Sequence, residues 1–353
     1  MKICLVGAGF YGLRLSFALK SHMPDAEVVI FEKNSRTCLG AITNNQHRLH
    51  LGFHYPRCKE TIRQCVQTFD DFSRIYSDCI EDIEDNYYII HKDSKVNSDS
   101  FSRTMSDFGI YHEVHDIPPE HLCLKNISQF ESFFKTNEKK INLGKISSKI
   151  YSDAISAGVK ISLNREVEQI LEDGTIIGKD FVEKFDYVIN CSYTNPSLLK
   201  SFKTRTKSEI CFMGLLRPKG HFGHTFSSTI CDGPFSSLYP ADKENFTISN
   251  VIKTPAIKST NVGELHDILK KLEDHEKLKI CEGIVVESEK YFNIRDNFDL
   301  IGSYCAIKTK LLEDTNDYRG TFFTQQNRVI NIISGKIQAC LLLEKELIEG
   351  VFS

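Results

Sequence analysis

No apolar run in these 353 residues approaches the roughly 18 needed to cross a bilayer as a helix, so no membrane span is expected. Nor does one sign of charge dominate. The 44 Lys and Arg stand against 47 Asp and Glu, and a net charge of -3 gives no general attraction to nucleic acid or to an anionic membrane. An anionic ligand must therefore be held by a local site. The 12 cysteines contain no C-x-x-C pair, and no secretory signal precedes them: the apolar start at residues 2–6 is short and runs straight into glycines. We read the cysteines as reduced thiols and the protein as cytoplasmic. No cysteine or carboxylate stands at ligand spacing beside the histidines, so no metal site is expected. What remains, 41% hydrophobic and 26% charged residues, is the composition of a globular protein long enough for two packed regions.

The first of these regions is announced at once. Residues 3–6 are a short apolar run, Gly7-Ala8-Gly9-Phe10-Tyr11-Gly12 follows, and Leu13, Leu15, Phe17, Ala18 and Leu19 then supply a helical apolar face. Pro24-Asp25-Ala26 breaks the helix, and residues 27–31 are a second buried strand ending in Glu32. Each glycine has a reason in a dinucleotide-binding unit: Gly7 for the tight turn, Gly9 for approach of a pyrophosphate, Gly12 for close packing of helix on strand. The helix N-terminus offers free N–H groups to the phosphates, and Glu32 stands where an acid accepts hydrogen bonds from the adenosine ribose. Phe10 and Tyr11 in the turn and Lys33 after the acid belong with this cofactor site. An acid at that position disfavours a 2′-phosphate. After Glu32 the alternation of strands and helices stops, which favours FAD over a nicotinamide cofactor.

Further along, a helix is expected from Thr61, with Ile62, Cys65, Val66, Phe69, Phe72, Ile75 and Tyr76 as its core face. Residues 80–144 read as an insertion with one strand at 87–91. Ile146, Ile150, Ala154 and Ile155 give another helix, followed by strands at 159–161 and 185–192, with Val167 between them. Turn signals multiply from 209 to 310, as expected of a mostly antiparallel sheet. The chain then shows an apolar strand at 329–333, Ser334-Gly335-Lys336, and a helix with Ile337, Leu341, Leu342 and Ile348 on its apolar face. The expected architecture is α/β. Residues 1–79, 145–200 and 315–353 form a discontinuous Rossmann-like FAD-binding domain, and 80–144 with 201–314 form an α+β substrate domain.

The stretch Asn44-Asn45-Gln46-His47-Arg48-Leu49-His50-Leu51-Gly52-Phe53-His54-Tyr55-Pro56-Arg57 carries the densest chemistry. If extended, it points Arg48, His50, Gly52 and His54 the same way. His50 and His54 are candidates for the flavin or substrate site, against loop histidines that bond backbone carbonyls. Arg48 and Arg57 suit an anionic substrate, the cofactor pyrophosphate or a structural ion pair. His221 and His224 read as turn residues. Tyr239, on a strand–turn expected over the flavin, and Arg319, before the last strand, complete the catalytic candidates.

Taken together, Gly7 to Gly12 with Glu32, the segment Asn44 to Pro56, the segment Val167 to Ser192, and Ser334-Gly335-Lys336-Ile337 resemble the FAD-dependent oxidoreductases of the D-amino acid oxidase superfamily. Within it the resemblance is to glycine oxidase and L-2-hydroxyglutarate oxidase. Asn44, Asn45, His50, Gly52, Tyr55 and Pro56 match a stretch lying next to the flavin in the hydroxyglutarate oxidase branch. The resemblance implies that Val167 holds the adenine through its backbone and that the Cys191-Ser192 turn passes near the cofactor. It further implies that Gly335, Lys336 and Ile337 present N–H groups to the pyrimidine edge of the flavin, where reduction accumulates negative charge. The turn after Ile189 commonly carries a glycine in this superfamily and here is Cys191-Ser192-Tyr193. The implied activity is hydride transfer from a CH–OH or CH–NH carbon of a hydroxy acid, amino acid or sugar derivative to flavin N5, with His50 as a base. A non-redox flavoenzyme of the sugar-nucleotide mutase type and a non-enzymatic dinucleotide-binding protein are the alternatives. The expected partner is a small molecule, and the sequence leaves the oligomeric state open.

Overall fold

The computed structural model describes residues 1–195, 198–199, 206–312 and 318–353, so the expected domain boundaries at 200/201 and 314/315 lie outside the described residues. The strand Lys2–Val6 pairs in parallel with Glu27–Phe31 on one side and with Tyr187–Asn190 on the other. Its continuous apolar run suits a central strand covered on both faces. The full sheet runs Phe322–Gln326, Val329–Ile333, Tyr187–Asn190, Lys2–Val6, Glu27–Phe31, Lys160–Ser162, and only its first pair is antiparallel.

The helices Phe10–His22, Lys59–Ile75, Leu143–Ser156 and Cys340–Gly350 pack on one face. There Ile3, Leu5, Leu13, Phe72, Ile146 and Leu343 share a core. Residues of the alternate register, Cys4, Val6, Val29 and Val188, meet Val167, Ile170 and Ile176 of a three-stranded antiparallel sheet on the other face. The last helix starts at Cys340, later than the apolar pattern suggested, and buries Cys340, Leu343 and Leu347. Leu341, Leu342 and Ile348 stay half-buried, because the turn at Ser334–Ala339 sets the helix phase.

The second sheet has nine strands. In order they are Pro255–Ser259, Thr206–Pro218, Phe246–Asn250, Ser236–Pro240, Phe226–Cys231, Asp85–His91, Phe130–Thr136 and His112–His115, and Phe298–Leu311 also pairs along Thr206–Pro218. All pairs are antiparallel except Phe226–Cys231 with Asp85–His91. Two helices the turn-rich pattern did not reveal, Val262–Lys271 and Asp274–Ser288, cover one face. They bring Leu265, Cys281, Ile284 and Val285 onto Phe212, Leu216 and Leu238. A small three-stranded sheet of Arg48–Leu49, Lys139–Ile141 and Ile80–Glu81 ties the polar stretch to the end of Phe130–Thr136. Among the described residues no helix is long and apolar enough to cross a membrane. The cysteines are free thiols, buried except for the half-buried Cys305.

Phe72 is fully buried, with its ring 5.8 Å from Phe10 and 4.7 Å from Tyr76, so it locks the Lys59–Ile75 helix onto the first one. Phe72→Ala is expected to cost about 3–5 kcal/mol. The check is the urea unfolding midpoint, and an unchanged midpoint would refute this packing.

Candidate active site

The first glycine turn is built from backbone contacts. Gly7 holds φ +105°, and a Cβ on it would lie 3.0 Å from the Cys191 carbonyl oxygen. A Cβ on Gly12 would fall 1.9 Å from the Gly7 carbonyl oxygen, so the helix can approach the turn only as glycine. Gly9 differs: its φ of -80° suits any residue, and a Cβ there would meet nothing within 4 Å. It faces open space at the N-terminus of Phe10–His22, which has no side-chain cap and no acid in its first turn. Orphan N–H groups beside open space form an anion cradle, the feature a dinucleotide pyrophosphate requires.

Glu32 is buried, accepting from the Ala8 N–H at 2.7 Å and from the Asn34 N–H and Nδ2 at 2.9 and 2.6 Å. Its carboxylate is thus fixed at the mouth of the turn, and Lys33 beside it is exposed. Val167 is buried and pairs with Gly178. Cys191 lies against Gly7, its N–H donating to the Val6 carbonyl and its thiol pushed up by burial. Ser192 caps its own turn through Asn190 Oδ1 and the Asn195 carbonyl.

Near the chain's last strand, Gly335 is equally constrained, since a Cβ would sit 1.8 Å from the Arg319 carbonyl oxygen. Thr321, which the sequence did not single out, is the knot. Its hydroxyl accepts from the Gly335 N–H at 2.8 Å and the Lys336 N–H at 3.4 Å and lies 3.1 Å from Tyr11 Oη. Gln64 brackets the Thr321 backbone, and Tyr11 Oη donates to the Lys336 carbonyl. Helical structure begins only at Cys340, so Gly335, the half-buried Lys336 and the half-buried Ile337 form a turn ahead of the helix. Two of the three N–H groups are directed at Thr321 rather than away from the protein.

The polar stretch is not extended beyond Arg48–Leu49, because Gly52 adopts φ +119° against Ile62 and turns the chain. Arg48, His50 and His54 therefore do not form one row. Asn44 donates to Thr43 Oγ1, while Asn45 binds the Ala41 carbonyl and accepts from the His47 N–H. Both act as loop braces, and His47, lowered by burial, bonds the Ile42 carbonyl. Arg48 runs into the second sheet. Its guanidinium stacks 3.9 Å over the Tyr239 ring and donates to Gln46 Oε1 at 3.1 Å, Ser237 Oγ at 2.5 Å and, at 3.5 Å, Tyr88 Oη. Tyr239 Oη is buried with no partner among the described residues.

His50, His54 and Tyr55 cluster, with centroids 5.2 to 5.9 Å apart. Lys336 Nζ lies 4.2 Å over the Tyr55 ring and contacts Tyr55 Oη. Two residues missed from sequence complete the site. Gln338 donates to the His50 carbonyl at 2.7 Å, and Glu138 is a buried carboxylate 3.6 Å from His50 Nδ1. Burial and the Lys336 charge lower His50 to about 4, and burial with Arg48 holds His54 well below its ordinary value. Burial, reinforced by the Arg319 and Arg48 charges, lowers the Lys336 ammonium to about 8. Burial would raise Glu138, but its His50, Tyr88 and Arg48 contacts outweigh that and keep its carboxyl below the usual value.

Arg319 donates through its N–H to Thr61 Oγ1 and through its guanidinium to the Tyr318 carbonyl. Arg57 pairs with Asp232, which is the structural ion pair foreseen as one of its readings. His221 and His224 are exposed turn residues, the latter paired with Glu84 at 3.1 Å. Among the described residues no group of three or more metal-ligating side chains is present.

No family model matches the chain. It is 25% identical over 351 residues to the FAD-dependent monooxygenase FPY4 of Fusarium mangiferae, covering 98% of this chain and 89% of that protein. Among solved structures it superposes on NikD, an unusual amino acid oxidase essential for nikkomycin biosynthesis, with a TM-score of 0.73 and 11% identity, covering 99% and 94% of the two chains. Glycine oxidase from Geobacillus kaustophilus gives a TM-score of 0.69 and 13% identity, with 98% and 94% covered.

The two glycines are expected to separate fold from ligand. Gly12→Ala should lower stability by about 3 kcal/mol through the clash with Gly7. Gly9→Val should cost no more than about 1 kcal/mol while filling the cradle. Thermal melts alongside dinucleotide-binding titrations would check this; tight binding in Gly9→Val would rule the cradle out.

Proposed function

We propose that this chain, which has the fold of the D-amino acid oxidase superfamily and works as an FAD-dependent oxidoreductase, oxidises a small polar substrate that carries a carboxylate. The CH–OH or CH–NH carbon of a hydroxy acid, an amino acid or an acidic sugar derivative is the point of attack. The observation that carries this reading is the charge balance around His50 and His54. Arg48, Lys336 and Arg319 all bear on His54, and Glu138 is the carboxylate acting on His50 and Lys336. Among the described residues neither Arg48 nor Lys336 has a carboxylate within ion-pair distance. Arg48, Lys336 and Arg319 outnumber the one carboxylate that acts on them, and an anionic substrate offsets the cost of that excess positive charge on binding.

FAD, when bound, would supply the electron sink for a hydride from the substrate carbon, with an external acceptor to reoxidise it. Gly7 to Gly12, with Phe10 and Tyr11 at the helix N-terminus, hold the pyrophosphate, and Glu32 the ribose. Val167 would hold the adenine through its backbone, the Cys191-Ser192 turn would pass near the cofactor, and the Gly335–Ile337 turn would hold the flavin. Asn44 and Asn45 brace the loop that brings His50 to the substrate. Arg48 and Lys336 hold the carboxylate, with Arg319 adding charge, and Tyr239 offers its unpartnered hydroxyl. His50, neutral at physiological pH, takes the proton from the substrate oxygen or nitrogen. Residues 1–79, 145–200 and 315–353 serve as the cofactor domain, and 80–144 with 201–314 as the substrate domain. The name of the 25% identical relative favours a second reading, in which one atom of dioxygen enters the substrate and the other leaves as water, with two electrons drawn through the flavin from an external donor.

Anaerobic mixing with hydroxy acids, amino acids and sugar acids is expected to bleach the flavin with at least one carboxylate substrate, and not with its amide or ester. Turnover under isotopically labelled oxygen then assigns the outcome: label in product supports insertion, label only in peroxide supports oxidation. Isomerisation that needs pre-reduced flavin would sink both. The Lys336 ammonium is charged below about pH 8 and neutral above it, so its attraction for an anion is present at lower pH and lost on going alkaline. The apparent KM should rise above pH 8, and Lys336→Met should raise it at neutral pH and flatten the profile.

A further inference from the structure

Glu138 sits in the short turn between the strands Phe130–Thr136 and Lys139–Ile141, and is only 2% exposed. Every hydrogen bond its carboxylate makes reaches the candidate site. Oε1 accepts from the Leu51 N–H at 2.7 Å and the Gly52 N–H at 3.3 Å, and Oε2 accepts from Tyr88 Oη at 2.6 Å. Tyr88 in turn faces Arg48 at 3.5 Å. The carboxylate therefore clamps the backbone on both sides of the bend that follows His50. On the same side it lies 3.6 Å from His50 Nδ1, just beyond hydrogen-bond distance, and that buried nitrogen has no hydrogen-bond partner among the described residues. His50 Nε2 is the ring nitrogen left accessible.

We infer that Glu138 is the positioning residue for His50: its carboxylate keeps the neutral imidazole protonated on Nδ1 and so leaves the Nε2 lone pair open to accept a proton. A lone pair on Nδ1 facing a carboxylate oxygen is repelled, whereas an N–H dipole is attracted, and the group that faces one ring nitrogen sets the state of the other. The remaining groups around the ring do not make this choice. His54 and Tyr55 from the same loop present ring contacts, and Lys336 and Arg48 act only as positive charges that keep the ring neutral. Glu138 stands far along the chain from His50, in the polar run Asn137-Glu138-Lys139-Lys140, where its sequence surroundings give no sign of this role.

The inference rests on the preceding reading for the reaction that His50 serves, and not for the geometry. Its test is therefore made first without substrate. Nitrogen-15 NMR of histidine-labelled holoenzyme at neutral pH reads the His50 tautomer, assigned with His50→Gln. We expect Nδ1–H to dominate in the wild type, to fall in Glu138→Gln, which keeps an acceptor for Leu51 and Gly52 but loses the charge, and to reverse in Glu138→Met. With a substrate that bleaches the flavin, the reduction rate should follow the same order, at least about tenfold slower in Glu138→Met with KM little changed. A folded, FAD-loaded Glu138→Met that keeps Nδ1–H would overturn the inference. If that variant does not fold, an unchanged tautomer in Glu138→Gln overturns it equally. Failure of every substrate to bleach the flavin would count against the proposed function alone, because the tautomer is read without substrate.

Discussion

Backbone touching backbone at Gly7 is the constraint on which the rest depends. The turn after the strand Lys2–Val6 must fit between the first helix, which reaches it only because position 12 has no Cβ, and the Cys191-Ser192 turn, whose carbonyl packs on Gly7. Two chain segments distant in sequence, residues 7–12 and the Cys191-Ser192 turn, are thereby fixed against each other. The same device recurs at Gly335 against Arg319, where Thr321 and Tyr11 knot the Gly335–Ile337 turn to the first helix. The two glycine-dependent junctions are tied together through Tyr11 and Thr321.

Between the two sheets the chain concentrates charge instead of apolar side chains. The arginine stacked on Tyr239, the lysine over Tyr55 and a single buried carboxylate are arranged around two neutral histidines. In a site of low dielectric such groups act strongly on each other, which explains why imidazoles and an ammonium are lowered together. The three-stranded sheet that carries Arg48 and the flank of Glu138 is small, but it brings the loop of one sheet under the rim of the other.

What could be read from sequence was local. Gly7, Gly9, Gly12 and Glu32 were legible because their spacing within one strand–turn–helix unit is the signal, and the helix from residue 59 because its apolar steps are regular. The α/β fold followed from these and from the segments around Val167 and Gly335. In the last helix Ile337 and Leu341 do pack against the core as partly buried residues, but the fully buried positions are Cys340, Leu343 and Leu347. The helices Val262–Lys271 and Asp274–Ser288 went unread because charged residues interrupt their short apolar faces. Glu138, Thr321 and Gln338 were invisible for a different reason: each is an ordinary polar residue whose partner lies elsewhere in the chain. The even spacing of Arg48, His50 and His54 suggested a common face that the bend at Gly52 removes.

The pairing of the central strand has a kinetic side. Ile3 is matched with Tyr187, and Val188 with Val329, so the cofactor-bearing sheet is assembled from pairings that span most of the chain. Closing such loops costs entropy before any strand contact repays it, and chains dominated by non-local contacts fold slowly. Until Tyr187–Asn190 arrives, Lys2–Val6 has only its local partner Glu27–Phe31, and its other edge is a template for pairing with other chains. A ligand that bridges the Gly7 turn and the Gly335 turn would hold the two ends of that search together.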